Sequence, residues 1–391
     1  MSNDSFSKVT TQSWFSRIME SIKGIVVGLL LFLIAFPVLF WNEGRAIKTA
    51  QGLEEGASAV VSLEPDKVQV AMDKKLVHII GEAKTDEQLN DAAFNVTVNA
   101  VALRRSVEMF QWEEQQKSET REKLGGGTET ITTYSYNKTW SSQAIDSSRF
   151  EKTAGHANPG AMKHESLTRR ASLVTLGAYK LSPALINKMD NYEPLPLDQA
   201  LFEALPDGLR AQSKLDGQFF FIGAAPSSPE IGDTRVSFQI VKPGVVSVIA
   251  QQFGNSFEPY TTKTKTKIEL LYTGTHSAAA MFESELAANA MLTWILRLVG
   301  LVMMFIGLTM VFRPISVVAS VVPFIGSVFR MGTSIIAGGI SLVLSLVTIA
   351  IGWIFYRPLI GILLLVVAAA IIAGVITLVR KKKAIAQTAD A

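Results

Sequence analysis

The sequence predicts an α+β membrane protein with four transmembrane helices, one N-terminal and three C-terminal, and a large β-rich extracytoplasmic domain inserted after the first. Three observations carry this. No Asp or Glu occurs from residue 286 to 389, and within 291–379 the only charges are Arg297, Arg313, Arg330 and Arg357, a composition suited to hydrocarbon. Four apolar runs, at 24–41, 291–312, 333–356 and 358–379, each approach or exceed the roughly 20 residues that cross about 30 Å of bilayer. The stretch between the first two runs alternates short β-branched segments with turn residues, the pattern of strands.

Residues 1–23 form a polar cytoplasmic segment in which Trp14, Phe15, Ile18 and Ile22 are spaced as one face of an amphipathic helix leading into the first span. A signal peptide is the alternative for 24–41, but the run is long and the following Asn42-Glu43-Gly44-Arg45 offers no small-x-small cleavage pattern. Gly24 and Gly28 make a GxxxG pattern, a candidate face for close helix packing and self-association.

The extracytoplasmic domain is assigned to 42–290. Residues 45–62 have helical spacing that ends at Pro65-Asp66. Strands are expected at 76–81, 94–101, 107–112, 134–140, 173–181, 234–241, 245–252 and 268–272. Gly125-Gly126-Gly127 reads as a hairpin tip. A phosphate-cradling loop would need a Lys-Ser/Thr after it, and the chain continues Thr-Glu-Thr-Ile-Thr-Thr. Lys242-Pro243-Gly244 is a second hairpin signal. LVHIIGEA at 76–83 resembles FFFIGAA at 219–225, and SVEMFQW at 106–112 resembles SVIAQQF at 247–253, which suggests a duplicated β-unit. Residues 278–291 are helical and run unbroken into the second span.

Counting Lys and Arg beside the spans gives the orientation. Lys8, Arg17 and Lys23, then Arg313 and Arg330, then the cluster of Arg380 and Lys381 to Lys383 fall on one side of a four-span chain. The positive-inside rule puts both termini in the cytoplasm and 42–290 in the periplasm or a lumen. Residues 313–332 are then a cytoplasmic interfacial segment. Its apolar part, 315–329, reaches only about 22 Å as a helix and reads as interfacial or re-entrant, broken at Pro323 and Gly326. Residues 380–391 form a basic cytoplasmic tail.

The net charge of +3 sits largely on the membrane flanks, so no nucleic-acid partner is needed to explain it. Cysteine is absent, which removes disulfides, thiolate nucleophiles and sulfur-ligated metals and points to a bacterial periplasm. The four histidines, His78, His156, His164 and His276, show no paired metal-ligand spacing. No cofactor motif occurs, so no cofactor and no enzymatic activity are expected. Arg297 lies about one turn inside the second span and reads as snorkelling to the interface. Proton and cation pathways use membrane-embedded carboxylates, and the C-terminal block has none.

Several co-linear blocks carry a family resemblance: Asn42-Glu43-Gly44-Arg45-Ala46, LVHIIG at 76, LRRSVEMFQW at 103, YSYN at 134, GHANPGAM at 155, GDTRVSF at 232, VIAQ at 248 and GWIFYRPL at 352. Together they resemble the transmembrane protein 43 (LUMA) family. The resemblance implies a four-span protein with a large lumenal or periplasmic domain, self-association, and a scaffold role for envelope proteins. In animals it implies a place in the endoplasmic reticulum and inner nuclear membrane. It brings no catalytic residues.

The function expected from this reading is a multi-pass membrane scaffold, most naturally in a bacterial inner membrane. Its partners are the lipid bilayer, itself and other envelope membrane proteins. Arg104 and Arg105, among the aromatics of 103–112, are the candidate interaction surface. The alternatives are an oligomeric channel or small-ligand or lipid transporter, and an anchored periplasmic hydrolase in which His156 and His164 would cluster with carboxylates.

Overall fold

The structure, a computed structural model, describes residues 4–357. The chain opens with strand β1 (Ser5–Gln12) and helix α1 (Trp14–Ala59). β2 (Val61–Leu63), β3 (Leu76–Lys84), β4 (Gln88–Asp91) and β5 (Val96–Asn99) follow, then the long hairpin of β6 (Ala102–Glu122) and β7 (Thr128–Ser141). β8 (Leu167–Arg170), β9 (Thr175–Leu176) and β10 (Tyr179–Lys180) lead to α2 (Pro183–Lys188). After β11 (Glu193–Pro194) come α3 (Gln199–Glu203) and α4 (Asp207–Arg210). The last strands are β12 (Ser213–Asp216), β13 (Phe219–Ile222), β14 (Thr234–Val241), β15 (Gly244–Phe253), β16 (Ser256–Glu258), β17 (Tyr260–Thr261), β18 (Lys267–Ile268) and β19 (Leu270–Thr273). Helices α5 (Ala278–Ala319) and α6 (Pro323–Tyr356) complete the described chain.

These elements divide into two compact units. Of the described residues, one comprises 4–10, Gly52–Arg121 and Glu129–Glu285; the other comprises Thr11–Gln51, Glu122–Thr128 and 286–357.

In the first unit β4-β5 and β17-β18 are separate two-stranded sheets, and the unit is built on two large ones. One has the order β1-β7-β6-β14-β13-β12, with β8 also on β6 and β11 also on β14; the other has the order β10-β9-β3-β15-β16, with β19 on β15 and β2 on β3. Period-two alternation explains the burial. In β14, Val236, Phe238 and Ile240 point inward and join Phe94, Leu103, Val107 and Phe220 in one core. Val77 and Ile79 of β3, with Val246 and Val248 of β15, form a second core with Leu176, Tyr179 and Leu185. Each such side chain contributes about 1.5–3 kcal/mol by leaving water.

One expectation is corrected here. Lys242-Pro243-Gly244 does not close a hairpin: β14 pairs with β6 and β13, whereas β15 pairs with β3, β16 and β19, so this turn carries the chain from one sheet to the other. The two segments compared as a duplicated β-unit are placed as follows. β3 lies beside β15 and β9, its supposed copy β13 lies between β12 and β14, and the two are in different sheets.

Residues 1–23, expected to stand across the bilayer from 42–290, include a strand that was not expected. Ser5–Gln12 is an added strand: the Tyr136 N–H donates to the Asp4 carbonyl just before it at 3.1 Å, the Ser7 and Thr133 hydroxyls meet at 3.1 Å, and Lys8 pairs with Glu151 at 2.7 Å. Paired strands lie about 4.8 Å apart, so this segment runs directly beside β7.

The second unit is helical. Among the described residues three helices are long and apolar enough to cross a membrane: Trp14–Ala59, Ala278–Ala319 and the stretch 324–356. Their apolar side chains are widely exposed, among them Val26, Leu30, Leu33, Ile295, Val302, Ile335 and Leu346, as lipid-facing residues are. The separate segment at 313–332 is not seen. α5 continues through Pro314 to Ala319 and α6 begins at Pro323, where the missing N–H and fixed φ of proline suit the first helical turn. The break is therefore three residues, and Gly326 lies inside α6. The expected span at 358–379 and tail at 380–391 lie outside the described residues.

The hairpin tip at 125–127 is seen as expected, with Gly125 and Gly126 at positive φ. Its location is new. Residues Glu122–Thr128 belong with the helices. Gly125 N–H donates to the Val321 carbonyl at 3.1 Å, and the Glu122 carboxylate receives both Arg17, at 2.9 Å, and Arg330.

Candidate functional site

The functional candidate is the place where the Asn42-Glu43-Gly44-Arg45 motif joins the three described helices of the second unit. The motif continues α1 past its apolar run, so successive residues fan around the helix at about 100° intervals and reach both α5 and α6. Glu43 is the centre, only 1% exposed. Its Oε1 accepts from Arg297 Nε at 2.7 Å and its Oε2 from Arg297 NH2 at 2.8 Å, a two-point fork. The same Oε2 accepts from the Trp353 indole N–H at 2.8 Å. One carboxylate thus ties α1 to α5 and α6 through three charge-assisted bonds.

Its neighbours repeat the pattern. Asn42 Nδ2 donates to the Thr293 carbonyl at 3.1 Å. Arg45 donates to Asn289 Oδ1 at 2.9 Å and to Thr293 Oγ1 at 3.0 Å. Asn289 returns a bond to the Ala46 carbonyl at 2.9 Å. Gly44 faces the Tyr356 ring with no room for a Cβ, and a Cβ on Gly352 would stand 3.0 Å from the Glu43 side chain. The small residues let the helices close around the acid. A cavity of about 210 Å³ opens beside this hub, lined by Glu43, Asn289, Thr293, Trp294, Arg297, Trp353 and Arg357 together with small and apolar residues.

The family profile described as Transmembrane protein 43 matches residues 109–358 of this chain, and the chain is 39% identical to the human Transmembrane protein 43 over 373 residues, 91% of each. The chain belongs to the transmembrane protein 43 family. The rat protein of that name is equally similar, 39% over 373 residues and 91% of each. A Drosophila melanogaster homolog is 30% identical over 350 residues, 88% of this chain and 91% of its own length. No solved structure matches.

Arg297 does not snorkel. Its guanidinium is held by Glu43 and stacks over Trp294, 4.7 Å from the ring centroid. The C-terminal block is free of carboxylates as read, but the acid it needs comes from α1, 254 positions away. A lone arginine inside an apolar run, and an acid two residues past another such run in this family's motif, was the signal available.

Gly28 meets α5 of the same chain: a Cβ there would lie 2.7 Å from the Gly307 carbonyl oxygen, and one on Gly307 would lie 2.6 Å from that of Gly28. The close backbone approach expected of Gly28 is therefore intramolecular. Gly24 makes only an ordinary contact, with Met310 at 3.8 Å.

Arg105 is corrected as a surface residue. It is 8% exposed and its NH1 grips both Asp91 oxygens at 2.6 and 2.7 Å, while Nε donates to the Glu165 carbonyl at 2.9 Å. Arg104 stacks over Tyr192 at 3.5 Å. Both arginines organise the fold of the first unit.

The histidines sit in separate surroundings. His156 bonds the Lys152 carbonyl and Asp4 Oδ2 at 3.0 and 2.9 Å and stacks on Tyr136, whose hydroxyl is pushed up to about 12 by burial and by Glu114. His164 packs on Phe94, and burial, with Arg105 and Lys163, holds it below the ordinary histidine value. His78 is likewise held low by burial. Among the described residues no group of three or more His, Asp or Glu is placed to hold a metal.

Proposed function

We propose that this family member is a membrane scaffold. Three apolar helices fix it in the bilayer, and the β-rich unit associates with further copies and with other envelope membrane proteins. The observation that carries the reading is strand β1. It forms one edge of the larger sheet, seven of its eight residues are exposed, and Phe6 and Val9 leave apolar surface beside its open edge. An uncovered edge strand is a template for another strand, and a second copy supplies one of matching length. The absence of cysteine supports a bacterial inner membrane as the location, and the reading assigns the chain no turnover of its own.

The test is crosslinking in intact cells. The Tyr136-to-Asp4 bond sets the ladder parity, so the even-numbered residues of β1 bond β7 and the N–H of Val9 points outward. Val9→Pro removes that outward donor and should reduce the crosslinked oligomers, with Val9→Ala as the control. A wild-type chain that yields no crosslinked species would remove the scaffold reading.

A further inference from the structure

We infer that the cavity beside Glu43 is a binding site for the phosphate of an anionic phospholipid headgroup. The first argument is charge. Three ionisable groups line it, Glu43, Arg297 and Arg357, and the single carboxylate is already engaged by Arg297 and Trp353. Arg297 spends Nε and NH2 on Glu43, which leaves the donors of NH1. Arg357 is exposed, stands 5.9 Å over the Trp353 ring, and has no carboxylate partner among the described residues. One positive charge is therefore unbalanced, and two planar guanidiniums are the side chains best shaped for a phosphate.

The second argument is depth. Glu43 follows Trp41 at the end of the apolar run of α1, Arg297 lies near the start of the apolar part of α5, and Trp353 and Arg357 close α6. Trp41 and Trp294 are 60% and 68% exposed, as expected of an aromatic belt at headgroup level. Ala46, Ile47, Ala50, Leu286 and Ala290 complete the lining, so the pocket sets charged and polar groups beside apolar ones. Asn289 and Thr293, bonded to Arg45 and to the helix backbones, hold the polar side of the pocket in place. Basic pockets between membrane helices are the usual seats of such headgroups.

The experiment uses the full chain, purified in a neutral detergent and stripped of lipid, with thermal unfolding followed during titration. Phosphatidylglycerol should raise the melting temperature saturably, and phosphatidylcholine and inorganic phosphate should not at equal concentration. Arg357→Gln, at an exposed position outside the Glu43 network, should melt as wild type without lipid and need roughly tenfold more phosphatidylglycerol for the same shift, the loss of one charge-assisted contact. Arg357→Lys, which keeps the charge without the fork, should fall between. Equal response to the two lipids, or an unchanged titration in Arg357→Gln, overturns the site. A response to inorganic phosphate that matches phosphatidylglycerol overturns the lipid assignment.

Discussion

Replacing Arg297 by alanine leaves the Glu43 carboxylate buried with one remaining donor, the Trp353 indole. Breaking a buried ion pair from one side costs about 3–5 kcal/mol, because the orphaned charge stays out of water. Glu43→Gln keeps an acceptor for Trp353 and removes the charge, so its cost should be smaller, about 1.5–3 kcal/mol, the worth of hydrogen bonds to a charged group. Removing both charges together, as Glu43→Met with Arg297→Met, should cost clearly less than the two single changes summed, since neither charge is left unpaired. The assay is denaturant unfolding in detergent micelles followed by tryptophan fluorescence, which Trp294 and Trp353 report because they flank the pair at 4.7 and 5.9 Å from the guanidinium. An Arg297→Ala loss below about 1 kcal/mol, the range of exposed pairs, or a double variant whose loss equals the sum, would refute the claim that this hub holds α1, α5 and α6 together.

Three further outcomes follow from the same geometry. The chain has no cysteine, so Ser7→Cys with Thr133→Cys creates a single possible disulfide at side chains 3.1 Å apart; oxidised protein should migrate faster than reduced protein on denaturing gels, and no shift would mean that β1 does not pair with β7. Gly28→Leu drives a side chain into the Gly307 backbone and should destabilise by about 1–3 kcal/mol as overpacking does, an effect that Gly24→Leu should not share; equal melting of the two variants would count against the α1–α5 contact. His78 accepts from or donates to Ser62 and bonds the His276 carbonyl in its buried site, and its folded pKa is depressed. The unfolded chain therefore binds the proton first, and stability present above the unfolded value of about 6.5 should fall as pH drops toward the folded value; His78→Gln should flatten melting curves compared between pH 7 and pH 5.5.

The sequence by itself determined the membrane character, the apolar helices through 24–41, 291–312 and 333–356, the β-rich insert and the glycine hairpin tip, because hydropathy runs and period-two alternation are local properties of the chain. It also carried the family, through co-linear motifs. Tertiary structure decided what those motifs do. Lys242-Pro243-Gly244 looks like a hairpin in any local window, and only the pairing of β14 with β6 and of β15 with β3 shows that the turn changes sheets. Arg105 carries the composition of a contact residue, yet Asp91, fourteen positions away, draws it into the interior. Arg297 read as a snorkelling cation because its acid lies 254 residues earlier, and β1 was hidden because its partner strand begins more than a hundred residues later. Charge pairs and strand pairs are fixed by distance in space, a quantity that local pattern does not contain.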